Sequence, residues 1–198
     1  MTGRQLDFYF DFMSPFAYLA FHKVLELCKR YGLEFRPHVV NLPQLKLMAG
    51  NTAPPNVNLP LKIRYLSKDL NRWAEEYGVP LIFPKSLASE KLNKAFLYAL
   101  AKGEGEAFIR AGWDRVWGEG ADLADPALLA ELANRFGWSP ESLSAWVSSQ
   151  EAADQYEAST QAAHEAGVFG TPTMIVGDQM WWGNDRLMFM ERTLQQVL

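Results

Sequence analysis

A serine followed by a proline stands where an apolar strand pattern changes to a helical one, and this serine is the first candidate for chemistry. The strand pattern ends near Phe12, and Ser14-Pro15 opens a helical pattern. Ser14 is a favourable N-cap and Pro15 a favourable first helical residue. A hydroxyl at a helix N-terminus can stabilise a thiolate or another anion. Simple capping would explain the same two residues. No Gly-x-Ser-x-Gly elbow is present, which disfavours a serine hydrolase.

Three further places could hold a small ligand with charged ends. Thr171 precedes Pro172, which cannot donate to a sheet and therefore opens a predicted strand. Asn184 and Asp185 precede a predicted helix, whose free amides can bind a carboxylate while Asp185 pairs with an ammonium group. Lys62 lies in a first helical turn, where a positive charge is unfavourable, and it could instead meet a ligand carboxylate. The alternatives are an ordinary trans proline at the start of a strand, simple capping, and an ordinary surface lysine.

Hydrophobic periodicity divides the chain into two mixed ends and a helical middle. Residues 6–12 and 33–40 predict strands that flank a helix, and such a crossover predicts parallel strands. Residues 41–59 predict a loop, and residues 59–77 show a clear helical face. Further helices are predicted at about residues 88–102, 105–118, 126–136, 140–148 and 150–166. A hairpin over residues 172–182 and a last helix complete the chain.

This order of elements predicts an α/β protein with a thioredoxin-like fold and an inserted all-helical domain. A long helical block cannot belong to the sheet, so we assign residues 59–167 to the insertion. Residues 1–58 and 168–198 then form the thioredoxin-like domain. In that fold a cis-proline faces the active-site helix, so we expect a cis bond between Thr171 and Pro172. The backbone of Thr171 would be free to pair with an extended peptide.

Composition and charge exclude several classes of protein. Hydrophobic residues make up 48% of the 198 residues, which is enough for a large core, so disorder is not expected. The net charge of −4 disfavours nucleic acid as the main partner. Neither a membrane span nor a signal peptide is visible, so we predict a cytoplasmic protein. A lone cysteine excludes an intrachain disulfide, and the three histidines lack ligand spacing, so no metal site is predicted.

Four other residues with chemical potential have simpler interpretations. Cys28 lies in the middle of a helical pattern, and we predict a buried core residue, not a nucleophile. His38 lies near the end of the second predicted strand, where it could line the site, but we expect a satisfied core or rim histidine. Trp181 and Trp182 either pack on the sheet or form walls for an aromatic substrate.

Five segments together make the chain resemble the 2-hydroxychromene-2-carboxylate isomerases, which belong with the kappa-class glutathione transferases. These segments are residues 8–19, 50–51, 62–65, 167–173 and 182–187. The resemblance covers nearly the whole chain. It implies a thioredoxin fold with the helical insertion of periplasmic disulfide oxidoreductases. It also implies glutathione as cofactor and a homodimer.

The resemblance implies that Ser14 is the catalytic residue and that its hydroxyl hydrogen-bonds the sulfur of glutathione. It implies that Thr171, beside Pro172, pairs with the cysteinyl backbone, although many members have valine at this position. A free thiol with a pKa of about 8.5 is only slightly ionised at pH 7. The Ser14 hydroxyl and the helix N-terminus favour the anion, and a pKa lower by two units would correspond to about 2.7 kcal/mol. Because serine cannot form a disulfide, thiolate chemistry replaces redox exchange.

At the two ends of glutathione, the resemblance matches Asn184 and Asp185 to the γ-glutamyl group. It matches Asn51 and Lys62 to residues near the glycyl carboxylate and the substrate, Asn51 more loosely. The implied reaction interconverts 2-hydroxychromene-2-carboxylate, a small aromatic carboxylate, and trans-o-hydroxybenzylidenepyruvate through reversible thiolate addition. A kappa-class-like transferase that conjugates electrophiles and a non-catalytic thiol-peptide binding protein stay open. The lone Cys28 excludes a disulfide oxidoreductase unless it is exposed and reactive.

Overall fold

The computed structural model describes residues 4–197, apart from the side chains of Val57 and Val197. Within this range, four strands form one mixed sheet. The strands are β1 (Gln5–Phe10), β2 (Glu34–Val39), β3 (Thr173–Val176) and β4 (Gln179–Trp182). They lie in the order β2-β1-β3-β4. The prediction that β1 and β2 are parallel is confirmed, and β3 is antiparallel to both β1 and β4.

Helices make up most of the rest of the described chain. They are α1 (Pro15–Tyr31), α2 (Leu42–Met48), α3 (Pro60–Tyr77), α4 (Glu90–Ala101), α5 (Gly105–Trp113), α6 (Pro126–Arg135), α7 (Pro140–Val147), α8 (Gln150–Glu165) and α9 (Leu187–Val197). A π-helical turn, Asp114–Gly118, continues α5, and a 3-10 turn, Asn184–Arg186, leads into α9. This arrangement confirms the predicted thioredoxin-like fold with a helical insertion. The domain boundaries stay a prediction, and residues 1–3 and 198 lie outside the described residues.

The predicted loop over residues 41–59 is wrong in its first half, where α2 forms. Asn41 caps α2, because its side chain accepts a hydrogen bond from the Gln44 amide at 3.2 Å. Pro43 lies in the first turn, where no backbone N–H is needed. A helix of seven residues is too short to show a helical period, and the proline, glycine and asparagine residues around it favoured a loop.

Trp113 lies at the centre of the main core and joins the helical segment to the sheet. Its fully buried ring lies 5.2 to 6.4 Å, centroid to centroid, from the rings of Phe8, Phe10, Phe12, Tyr18 and Phe21. Such edge-on aromatic pairs each add about 0.5–1.5 kcal/mol to the effect of burial. Since these rings come from β1, α1 and the turn between them, α5 packs directly behind that turn.

Gly112 of α5 lets the ring of Phe12 approach the helix closely. A Cβ atom at Gly112 would lie 2.8 Å from Cε1 and 3.2 Å from Cζ of Phe12. The ring cannot move aside, because it is fully buried against Phe10 and Trp113. Alanine is the better helix former by about 1 kcal/mol, but overpacking should outweigh this gain. We expect Gly112→Ala to lower the free energy of unfolding by about 1–3 kcal/mol in urea titrations. An unchanged midpoint would contradict this.

Candidate active site

Ser14 is buried at the N-terminus of α1, just beyond the end of β1. Its Oγ accepts a hydrogen bond from the Ala17 amide at 3.2 Å, which confirms the predicted N-cap. The Ser14 amide donates to the carbonyl of Asp11 at 2.9 Å. Among the described residues, the Ser14 hydroxyl has no acceptor for its own proton. The hydroxyl can therefore donate a hydrogen bond to a ligand at the positive end of α1.

Thr171 and Pro172 lie in the loop that leads into β3, the strand that pairs with β1 ahead of the Ser14 turn. The peptide bond between them is cis, as predicted. Neither the backbone groups nor the buried Oγ1 of Thr171 form a hydrogen bond within residues 4–197. The Pro172 carbonyl accepts from the Gly183 amide at 2.9 Å, which ties this loop to the turn before α9. Thr171 thus presents main-chain groups with which an extended peptide can pair.

Asn184 and Asp185 lie in the 3-10 turn before α9, and this turn packs against α1. Asn184 is only 3% exposed, and neither atom of its amide has a partner at hydrogen-bond geometry in the described chain, although the Tyr77 hydroxyl lies near it. A buried amide without partners costs about 1–3 kcal/mol, which a polar ligand could recover. Asp185 is exposed and forms an ion pair of 2.5 Å with Arg186.

Asn51 and Lys62 are both exposed. Asn51 lies in the segment after α2, where its side chain accepts from the Ala53 amide at 3.2 Å and so stabilises its own turn. Lys62 lies in the first turn of α3, which packs against α1. The Asn51 side chain is thus already hydrogen-bonded, whereas the side chains of Thr171 and Asn184 have polar atoms without partners among the described residues. The predicted roles of Asn51 and Lys62 in ligand binding stay predictions.

Lys46 belongs to this region but was not among the residues predicted from the sequence. It is half-buried on α2, and its ammonium group has no ion pair or hydrogen bond among the described residues. Burial lowers its pKa and the charge of Lys62 lowers it further, whereas the charge of Asp11 opposes both effects. Lys46 therefore lies within electrostatic reach of Asp11 and Lys62. The only feature of the sequence that pointed to Lys46 was Asn41, which caps α2, a helix too short to be detected by hydrophobic periodicity.

The two tryptophans of β4 differ in their surroundings. Trp182 is 52% exposed, and its ring packs at a tilt of 60° against the ring of Phe169, with the centroids 5.0 Å apart. Its indole nitrogen lies 2.7 Å from where a Cβ of Gly170 would be. It therefore stands next to Thr171, where it can form an aromatic wall. Trp181 pairs with the buried Met174 and packs against the main core, so it belongs to the sheet packing.

His38 is a rim histidine, as predicted, and its Nε2 has a hydrogen-bond partner. Its Nε2 lies 2.7 Å from Oδ1 of Asp7, and its ring stacks on Tyr9 with the centroids 4.7 Å apart. These contacts lie along β1 and β2, before the turn that carries Ser14. His38 is therefore not placed as a base for the Ser14 hydroxyl.

Cys28 is 5% exposed on α1, which confirms the predicted core position. Burial, together with the charge of Glu106, raises the pKa of the thiol to about 12. The thiol therefore stays protonated and covered at pH 8, and we expect native protein to resist a disulfide reagent such as dithionitrobenzoate. Denaturant should release one reactive thiol per chain. Rapid labelling of native protein would contradict this, and would reopen a redox role.

The described residues contain neither grouped metal ligands nor a membrane-spanning helix. Over residues 4–197, no three or more His, Cys, Asp or Glu side chains are grouped so that they could hold a metal ion. No helix in the same range combines the length and the apolarity needed to cross a membrane.

Comparison with known proteins agrees with the fold and with the resemblance. The family profile for the DSBA-like thioredoxin domain matches residues 5–195. A 2-hydroxychromene-2-carboxylate isomerase of Pseudomonas putida is 41% identical over 192 residues, which cover 97% of this chain and 95% of the relative. A solved structure of a 2-hydroxychromene-2-carboxylate isomerase, also 41% identical, superposes with a TM-score of 0.92 over 97% of this chain and 95% of its own. Glutathione S-transferase kappa 1 of Rattus norvegicus is 23% identical, covering 93% of this chain and 88% of the relative.

Proposed function

The chain belongs to the DSBA-like thioredoxin domain family and, within it, to the 2-hydroxychromene-2-carboxylate isomerases, and from this premise we propose a glutathione-dependent reaction. That the chain is an isomerase follows from its family. The proposed reaction interconverts 2-hydroxychromene-2-carboxylate and trans-o-hydroxybenzylidenepyruvate. The observation that carries the proposal is the buried Ser14 hydroxyl at the N-terminus of α1, with no acceptor for its proton among the described residues.

Polar groups of Thr171 and Asn184 that have no partner among the described residues fit functional groups of glutathione, and so do two charged side chains. Thr171 offers a backbone N–H and C=O for the backbone of the cysteinyl residue. Asn184 offers a buried amide NH2 group that can donate to the γ-glutamyl carboxylate. Asp185 offers a carboxylate for the γ-glutamyl ammonium group, and Lys62 a cation for the glycyl carboxylate. These residues would hold the cofactor with its sulfur toward Ser14.

Ser14 would stabilise the negative charge on the sulfur. When bound, glutathione supplies a thiolate that can add reversibly to an electrophilic carbon of the substrate. The Ser14 hydroxyl would donate a hydrogen bond to that sulfur, and the first amides of α1 add positive potential beside it. A hydrogen bond to a charged group contributes about 1.5–3 kcal/mol, which corresponds to a pKa lower by about one to two units.

Lys46 and Trp182 would bind the substrate. Lys46 is half-buried and its ammonium group forms no ion pair or hydrogen bond among the described residues. The charge of Lys62 repels this group, and the charge of Asp11 offsets that repulsion only in part. A substrate carboxylate placed near both lysines would relieve this repulsion. The exposed indole of Trp182 offers an apolar face for the aromatic ring.

Conjugation of electrophiles is the second candidate function, since a kappa-class transferase is among the relatives and the same stabilised thiolate would serve it. Mass balance after incubation with glutathione and 2-hydroxychromene-2-carboxylate separates the candidates. An isomerase converts the substrate while all glutathione is recovered unchanged. A conjugating transferase consumes glutathione and releases a thioether. Glutathione binding without turnover would indicate a thiol-peptide binding protein.

A homodimer and a cytoplasmic location complete the proposal. The exposed apolar side chains Leu47, Leu61 and Tyr65, which are 59–79% exposed, support a homodimer, because a second copy could cover them. Light scattering at assay concentration would test the dimer. The cytoplasmic location is a prediction from the sequence alone.

A further inference from the structure

The carboxyl group of Asp11 is buried between the two segments that carry Ser14 and Lys46. It is 1% exposed and lies directly after β1. Its Oδ1 accepts a hydrogen bond from the Met13 amide at 3.0 Å, in the turn immediately before Ser14. Its Oδ2 accepts from the Leu42 amide at 3.0 Å, in the first turn of α2. Lys46 follows Leu42 by one helical turn, on the same side of α2. One carboxyl group thus binds the backbone of both segments.

Two side chains of the helical segment hold this carboxyl group from behind. The hydroxyl of Ser89 donates to Oδ1 of Asp11 at 2.5 Å, and the amide of Asn93 donates to the same oxygen at 2.9 Å. The carbonyl oxygen of Asn93 accepts from the Phe12 amide at 3.1 Å. The Asn93 amide also donates to the Tyr156 hydroxyl at 2.7 Å. The turn before α1 is therefore held by side chains that lie on α4 or cap it.

These hydrogen bonds leave the Asp11 carboxyl group little freedom to rotate. Burial raises its pKa, while the hydrogen bonds from Ser89, Asn93 and the amides of Met13 and Leu42 oppose that rise. Rotation of the carboxyl group would break hydrogen bonds to the turn and to α2 together, and each broken bond would leave a buried donor without a partner.

We propose that Asp11 is a positioning residue that fixes the separation between the Ser14 hydroxyl and the Lys46 ammonium group. This inference rests on the proposed function, in which the first group faces the thiolate and the second binds the substrate carboxylate. Two bound molecules must then meet in one geometry, and an error of about 1 Å can reduce the rate about 100-fold. The groups assigned to the backbone and the γ-glutamyl end of glutathione, on Thr171 and Asn184, form no hydrogen bond with Asp11. Only one of the groups assigned to glutathione, the Ser14 hydroxyl, lies next to the turn that Asp11 binds, so Asp11 should act mainly on the rate and little on glutathione affinity.

Ser89 offers a milder test than Asp11 itself, because Asp11→Asn would place an amide N–H group against a backbone donor and could prevent folding. We expect Ser89→Ala to lower kcat about tenfold while the Kd for glutathione, measured by calorimetry, changes by less than about twofold. Ser89→Thr keeps the hydroxyl and should recover most of the rate. Leu143→Ala, a buried truncation on α7, serves as the matched control for lost stability and should keep the wild-type kcat.

The possible results separate the two proposals. A folded Ser89→Ala protein with the wild-type kcat would overturn the positioning role and leave the proposed function intact. Equal losses of rate in Ser89→Ala and Leu143→Ala would overturn it too, because general destabilisation would then explain both. Failure of Ser89→Thr to recover rate would also count against it. A wild-type protein without glutathione-dependent isomerisation would overturn the proposed function, and this inference with it.

Discussion

Replacement of Ser14 by alanine should lower kcat/KM for glutathione-dependent isomerisation about 100-fold or more. The hydroxyl would be the one side-chain donor to the sulfur. Removing a donor that stabilises negative charge in an active site lowers the rate about 100- to 1,000-fold. The amides of α1 stay in place in the variant, so a residual rate should remain. Stopped-flow or steady-state absorbance of the substrate measures this directly.

Ser14→Ala also removes an N-cap, which costs about 1 kcal/mol of stability, and this effect needs its own control. Ser139 offers a close match: it also precedes a proline, caps α7, and its Oγ accepts from the Ser142 amide at 3.1 Å. Ser139→Ala should lose similar stability and keep full activity. If Ser14→Ala kept the wild-type rate, Ser14 would have no role in the chemistry. The same would follow if Ser139→Ala lost as much activity as Ser14→Ala.

Replacement of Lys46 by methionine should raise KM for the aromatic carboxylate about 10- to 100-fold and leave the Kd for glutathione nearly unchanged. A hydrogen bond between two charged groups contributes about 1.5–3 kcal/mol, and methionine keeps the length of the side chain without its charge. The half-buried position of Lys46 limits the solvent screening that weakens surface ion pairs. Initial rates over a range of substrate concentrations, at saturating glutathione, give the KM.

Two other lysines make this prediction specific. Lys68 lies exposed on α3, and Lys68→Met should not change either constant. Lys62→Met should raise KM for the substrate less than Lys46→Met does, because Lys62 is exposed and solvent screens its charge. An equal effect of all three variants would mean that only the general positive potential matters. No effect of Lys46→Met on KM would place the substrate carboxylate elsewhere.

The parts of the site that follow local rules were predictable from the sequence. The Ser14 cap and the proline that opens β3 depend on conformational preferences of neighbouring residues, and both were confirmed. Asn184 was also found locally, as a polar residue before the last helix. The burial of its side-chain amide without hydrogen-bond partners results from tertiary packing, which no local sequence pattern reveals.

The residues that hold the site together depend on contacts distant in the sequence. Asp11 lies 31 positions from Leu42 and 82 from Asn93, and no periodicity or capping rule links them. Lys46 was missed for a related reason, since α2 is short and its ends resemble a loop. For Asp11, the available signal was an aspartate between the aromatic residues Phe10 and Phe12 at the end of a predicted strand.

The central claim is that isomerisation requires a thiol cofactor beside Ser14, and one rate measurement tests it most directly. The initial rate of 2-hydroxychromene-2-carboxylate isomerisation is compared for wild-type protein freed of small thiols, with and without added glutathione. We expect a negligible rate without glutathione and full activity once glutathione saturates the site. An equal rate without glutathione would contradict the account, because this chain's one cysteine is buried and could not supply the thiolate itself.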